Sequence, residues 1–230
     1  MRKVTILPIL IFQALLALPL AAAIALAWAV DAWATRVPLG VVVQSLLAVL
    51  VFLALTTFVY RVFLKFWPLP EGEIAVGSAE EFRYLVYIMF WLMIFLPLLR
   101  LSIIPVPLSR LVLIALGARV GEGTYSSGLV FDPHFVTIGS GTQLGFDCLV
   151  VPHAQAGGRL AHHPIRIGSG VTIGGRSVIM AGARIDDGAA IGFCSLVTAG
   201  THVGAGEVWA GTPARPIRRA DGVDVKPERQ

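Results

Sequence analysis

Three of the five histidines, His153, His162 and His163, fall within one short segment, VPHAQAGGRLAHHP, at positions 151–164. A free imidazole titrates near pH 6.5, so a histidine held beside a hydroxyl or amine is a general base at neutral pH. The acids closest to His153 in the chain are Asp132 and Asp147, and either is a candidate to orient its ring. His134 is a further candidate contact, with a bland alternative role as a cap on the first coil.

That segment interrupts a regular beat. Aliphatic residues recur every six positions at Ile138, Leu144 and Val150, then at Ile167, Ile173, Ile179, Ile185, Ile191, Val197 and Val203, with Trp209 continuing the register. Val120 is in phase with them. Small or β-branched residues sit two positions earlier (Val136, Thr142, Cys148, Ile165, Val171, Ser177), and Gly follows the aliphatic residue at 139, 145, 168, 174, 192 and 204. A helix requires a period near 3.6 and a half-buried strand a period of 2. A sustained period of six fits a short strand, one inward aliphatic residue and a turn, which is the signature of a β-helix. Three such faces close a coil of about 18 residues, and stacked coils bury one aliphatic column. Between Val150 and Ile167 the interval is 17 residues, where 6 or 12 would keep the beat. The histidine segment must therefore leave the coil as a loop, the usual seat of function on a rigid scaffold. A coil of about 18 residues would stack His153 over Phe135, beside His134.

The coil needs a support, and the first half of the chain has a different character. Of the 230 residues 56% are hydrophobic and 14% are charged, against about 25% charged in ordinary soluble domains. The mean hydropathy is +0.79, and the apolar excess lies before residue 118. Residues 4–30 and 37–60 carry no charge, and each exceeds the roughly 20 residues a spanning helix needs. They predict a transmembrane hairpin, with Pro8 or Pro19 as a possible kink in the first helix. A cleaved signal peptide is the competing reading, but its apolar core would be only about 7–15 residues long. Arg2 and Lys3 before the hairpin and Arg61 and Lys65 after it place both ends in the cytoplasm by the positive-inside rule. The third apolar stretch, 84–99, is short for a span and has Arg83 and Arg100 at its ends, so it is expected to be interfacial or re-entrant. The next stretch, LSIIPVPLSRLVLIALG, predicts a short helix lying on the membrane or over the end of the coil.

The net charge of +4 and pI of about 9.4 do not point to nucleic acid, because the basic residues flank apolar segments instead of clustering with aromatics. Cys148 and Cys194 occupy small-residue repeat positions and make no disulfide framework. The expected organisation is a hairpin and connector over 1–83, interfacial or re-entrant helices over 84–117, a β-helix over 118–217 and a tail over 218–230.

The segments FDPHFVTIGSG, PIRIGSGVTIGGRSVIMAGARI and VWAGTPARPIRR resemble the hexapeptide-repeat acyltransferases, particularly the sugar and serine O-acetyltransferases, over roughly residues 107–219. The expected fold is of mixed class: a transmembrane α-helical hairpin with interfacial helices, then a parallel β-helix, which the resemblance implies is left-handed and assembled as a homotrimer. It implies acyl-CoA, most simply acetyl-CoA, as co-substrate, with direct attack and no metal. LVVPHAQ stands where similar enzymes carry their catalytic histidine, so His153 is the expected base, with His162 and His163 as fallbacks. Ala154 replaces the Asp or Pro that often follows that histidine. CoA is expected in a groove between coils of adjacent subunits, near Gly192, Ser195 and Gly211, with Arg215 near the phosphates; here GFCSLV replaces the usual GAGSVV. The hairpin points to a membrane-associated acceptor, such as a lipid-linked sugar, an amino lipid or a polysaccharide precursor, and to a multi-pass protein of the inner membrane with its β-helix in the cytoplasm. Two alternatives remain open at this point. One is a trimeric membrane scaffold without catalysis. The other is a γ-type carbonic anhydrase, which the absence of a His-x4-His spacing disfavours.

Overall fold

The computed structural model describes residues 6–101 and 104–225, and it divides into two compact units. Arg2 and Lys3, on which the orientation argument partly rests, lie outside the described residues, as do positions 102–103 and the tail beyond 225.

The first unit comprises 1–69 and 76–96. Its leading elements are α1 (Ile6–Ala34) and α2 (Gly40–Phe66). At 1.5 Å per residue they are about 43 and 40 Å long, more than the roughly 30 Å of a hydrocarbon core. Their outward surfaces are apolar, with Leu18, Trp28, Val42, Leu50 and Phe58 exposed. The polar Gln44 is satisfied by its Nε2, which donates to the Ala27 carbonyl 2.6 Å away. Leu39, with φ 62°, ends the turn. Gly40 allows the close return, since a Cβ there would come within 2.9 Å of the Ala34 Cα.

The third helix starts earlier than the apolar stretch suggested. It runs over Ala79–Arg100, as α3 (Ala79–Phe90), one π-helical turn (Trp91–Phe95) and α4 (Leu96–Arg100). Ser78 caps the helix and Glu81 reaches back one residue past it, a variant of the capping box. The Ser78 hydroxyl accepts from the Glu81 N–H at 3.1 Å, and the Glu81 carboxylate accepts from the Gly77 N–H at 2.5 Å. The three helices meet in an aromatic core: Tyr60 lies 6.0 Å from Tyr87, 5.9 Å from Phe90 and 5.0 Å from Phe95, and Phe12 lies 5.0 Å from Phe90. All three helices are long and apolar enough to cross a membrane.

The second unit comprises 70–75 and 97–230. It holds β1 (Gly72–Ile74), α5 (Ser109–Leu116) and a parallel β-helix. The expected division at residues 83 and 117 therefore differs from the compact units, which assign 70–75 and 97–117 to the β-helix. The first face stacks β2 (Arg119–Val120), β5 (Val136–Ile138), β10 (Ile165–Ile167), β13 (Arg184–Ile185) and β16 (His202–Val203). The second stacks β3 (Tyr125–Ser126), β6 (Gln143–Leu144), β11 (Thr172–Ile173), β14 (Ala190–Ile191) and β17 (Val208–Gly211), and β18 (Ala214–Arg218) turns back antiparallel on β17. The third stacks β4 (Leu129–Val130), β7 (Leu149–Val151), β12 (Val178–Met180) and β15 (Leu196–Val197). The six-residue beat supplies the core: Val120, Ile138, Leu144, Val150, Ile173, Ile179 and Val203 are all buried in one column. Corner hydroxyls are satisfied by carbonyls of the next coil, Thr142 with Gly168 at 2.7 Å and Ser177 with Gly192 at 2.7 Å. Leu113 of α5 enters the column at its first coil, where Arg110 donates to the Gly121 carbonyl at 2.8 Å.

Two departures from the regular coil matter for function. In the first coil the third-face strand comes early: Val130 pairs with Val150, whereas Val120 pairs with Ile138. In the second coil an insertion precedes β10, so that Ile138 pairs with Ile167. The early strand shortens the corner between the second and third faces and lengthens the one between the third and first, and the insertion falls on that lengthened corner of the next coil.

Candidate active site

The insertion is a β-hairpin. β8 (His153–Ala156) and β9 (Arg159–His162) pair antiparallel, with His153 opposite His162 and Ala156 opposite Arg159. Gly157 and Gly158, with φ of 56° and 79°, make the two-residue turn that such a hairpin requires. At the neck the His163 N–H donates to the Pro152 carbonyl at 2.9 Å, and the His163 carbonyl accepts from Gly182 at 3.0 Å. The other edge of β9 is taken by β1, with Gly72 opposite His162 and Ile74 opposite Leu160. Ile74 and Leu160 are both buried.

Beneath the hairpin lies the first-coil corner. Asp132 stands six residues before Ile138, in the register of the inward aliphatic positions, and its side chain is 1% exposed. It adopts φ 42° and opens a 3-10 turn, Pro133–Phe135. Its Oδ2 lies 2.5 Å from Nδ1 of His153. The early third-face strand explains this pairing: Leu129 stands opposite Leu149, so His153 falls above the turn that follows Asp132. The expected 18-residue stacking on Phe135 does not hold at this corner. The hydrogen bond to the buried carboxylate raises the His153 pKa above its usual value, against the opposing effect of burial. With Nδ1 donating to Asp132, Nε2 carries the lone pair. The His153 side chain is 25% exposed, so its imidazole is accessible while the carboxylate it pairs with is closed off. The edge of Phe131 meets the His153 ring at 5.8 Å.

The remaining candidates sort by position. His162 is buried and stacks on Phe135 at 4.7 Å and 22°, and burial pushes its pKa down to about 4. It is a neutral packing histidine beneath the hairpin. His134 packs its ring 4.2 Å from that of Phe135. His163 is exposed and serves the neck through its backbone. Asp147 lies on a different corner, between the second and third faces, where its N–H donates to Ser127. Gly192 and Ser195 share that corner with Asp147. Ser195 is buried, and its hydroxyl accepts from the Gly211 N–H at 3.1 Å, so its contribution to the corner is internal. Gly211 and Arg215 are exposed on the terminal hairpin β17–β18. Phe193 and Cys194 project outward beside Gly192. Among the described residues no group of three or more His, Cys, Asp or Glu is disposed to hold a metal.

Sequence reasoning named Asp132 only as one of two nearby acids, and it missed β1. The signal for Asp132 was available: a carboxylate in the inward register of a hydrophobic column must find a partner. β1 has three residues and a distant partner, too little for any periodicity.

No family model matches this sequence, and no curated protein matches it. Several solved structures are similar to part of it. A hexapeptide-repeat acetyltransferase from Vibrio cholerae is 25% identical, over 45% of this chain and 63% of that one, with a TM-score of 0.42. A maltose O-acetyltransferase from Clostridium difficile 630 is 26% identical, over 45% and 59%, with a TM-score of 0.41. A galactoside acetyltransferase in complex with coenzyme A is 28% identical, over 45% and 56%, with a TM-score of 0.42. The chain thus covers less than two thirds of each of these proteins.

Proposed function

We propose that this protein is a membrane-anchored acyltransferase that uses acyl-CoA, most simply acetyl-CoA, with His153 as general base. The observation that carries the reading is the His153–Asp132 pair, an accessible imidazole on a buried carboxylate, at the one inserted loop of the coil. Nε2 of His153 takes the proton of an acceptor hydroxyl or amine as that group attacks the thioester carbonyl. The tetrahedral intermediate collapses, the C–S bond breaks, and the CoA thiolate recovers the proton from the imidazolium. Asp132 keeps Nδ1 protonated and stabilises the imidazolium between the two transfers.

CoA is assigned to the corner of Gly192, with Gly211 and Arg215 at its terminal end. That corner and the His153 corner flank opposite edges of the third face. The outward residues of this face are largely aliphatic: Leu129, Leu149, Val151, Val178, Met180 and Leu196. The first face instead presents Arg119, Thr137, Arg166, Arg184 and His202. An aliphatic face suits burial against a second copy, and a homotrimer of left-handed coils would bring the His153 corner of one copy beside the Gly192 corner of the next. The hairpin α1–α2 supplies the anchor, and the acceptor is a membrane-associated sugar, amine or polysaccharide precursor.

Isothermal titration of acetyl-CoA into the detergent-purified protein tests this. Micromolar binding by wild type and His153→Ala alike, with thiol release only by wild type in the presence of an acceptor, is the expected result. Silence of the wild type toward free CoA and longer acyl-CoAs would leave a scaffold as the better reading.

A further inference from the structure

The helix Ala79–Arg100 has the length and composition of a third span, yet two independent observations argue that it does not cross. The first is connectivity. The residues before it, 70–75, and the chain from its last turn onward, from 97, belong to the same compact unit. β1 is hydrogen-bonded along β9, with Glu73 opposite Ala161 and its carboxylate 3.7 Å from Arg159. A helix that crossed the bilayer would leave β1 on one side and the coil it pairs with on the other.

The second is packing within the helical unit. The residues of this helix that meet α1 and α2, or line the crevice with them, run from Ala79 to Phe95, about 24 Å along its axis. The ring partners and crevice-lining residues that α1 and α2 offer it fall within Ile11–Leu15 and Tyr60–Trp67, about 6 and 10 Å of axis. A helix aligned with the hairpin would meet partners spread over a matching length. This one lies across one end of α1 and α2, and its outward residues Leu92 and Met93 are exposed and apolar.

We infer that Ala79–Arg100 is a leaflet helix: it lies across the hairpin within the bilayer leaflet on the β-helix side, with its exposed apolar surface against lipid. The inference rests on α1 and α2 being the membrane anchor, and it does not depend on acyl transfer. The occupant of that surface is lipid because α1 and α2, packed on its other side, present uncharged apolar surfaces of spanning length. One consequence concerns the active-site hairpin. Five residues link Phe66 to Gly72, a reach of at most about 21 Å, and Gly72 pairs with His162, which pairs with His153. β1 thus links the end of α2, through a short stretch of chain, to the hairpin that carries His153.

Site-directed labelling of the full-length protein in sealed vesicles of both orientations tests the topology. The parent is Cys194→Ser, because Cys194 is exposed; Cys148 is buried with its thiol pushed up to about 12 and stays silent. Thr35→Cys, Val76→Cys and Ser169→Cys are then reacted with a membrane-impermeant maleimide. Positions 76 and 169 are expected to label from the same face, at least about ten-fold faster than from the other, and position 35 from the opposite face. Labelling of 76 and 169 from opposite faces would make the helix a true span and overturn the inference. Labelling of all three from one face would remove the anchor itself. As a second arm, a Glu73→Cys/Ala161→Cys pair is expected to form a disulfide in intact membranes; persistent free thiols under oxidant would also overturn it. CoA titration is measured separately, so either idea can fail alone.

Discussion

Asp132 and His153 stand 21 residues apart in the chain and 2.5 Å apart across one corner of the coil. The arrangement fixes the tautomer of the imidazole and raises its affinity for protons. Because the carboxylate raises the His153 pKa, the acid limb of kcat/KM is expected above pH 6.5. Asp132→Asn keeps the shape but removes the charge. It should lower kcat roughly 10²–10⁴-fold, the usual worth of a positioned base, and move the acid limb to lower pH. A pH–rate profile with an unmoved limb would separate Asp132 from the chemistry.

The two paired histidines respond to acid in opposite senses. His153 has a raised pKa, so it favours the folded state fully below pH 6.5 and loses that contribution as pH rises through its folded value. His162 is depressed to about 4, so the unfolded chain takes up its proton first. His162 should therefore cost stability as pH falls from 6.5 to 4, up to about 3 kcal/mol. His162→Phe keeps the stack on Phe135 and removes that titration. Melting at pH 7 and pH 4.5 should show a smaller acid loss in the variant; equal losses would refute the assignment.

Ile74 is 1% exposed and opposite Leu160, so Ile74→Ala should cost about 2–5 kcal/mol at the β1–β9–β8 sheet. The expected signature is faster hydrogen exchange across His153–His162 and a lower kcat, with acetyl-CoA affinity little changed. Unaltered exchange in the hairpin would mean that β1 does not brace it.

Gly145 separates two kinds of glycine. A Cβ there would come 2.6 Å from the Gly175 nitrogen and 2.7 Å from the Ile173 carbonyl oxygen, both backbone of the next coil. Gly145→Ala should overpack the coil by about 1–3 kcal/mol and lower its melting point. Gly157 at the hairpin tip has open space but φ 56°, so its alanine variant should cost only about 1–2 kcal/mol. The reverse order in a melting experiment would contradict the coil contacts.

The coil was legible because each position repeats, so that Ile167, Ile173 and Ile179 report one another's environment. The hairpin was legible as a failure of that repetition. Asp132 was harder because the first coil departs from the beat: Val130 is displaced from the six-residue series that Ile138 belongs to, and only the three-dimensional offset brings Asp132 beneath His153. The start of the third helix was missed because its signal, Ser78 with Glu81, is polar and precedes the apolar run. β1 carries no local pattern at all; its identity comes from β9.

β18 folds back on the last rung, with Pro216 in its path and Arg215 and Arg218 exposed, while Leu113 of α5 fills the first coil. A parallel solenoid with a bare final rung is a template on which further strands can add indefinitely, in the manner of a fibril. Here the chain itself closes the second face with β18 and covers the first coil with α5. The self-association proposed above is thereby left to the flanks, where copies arranged by rotation would close into a finite ring.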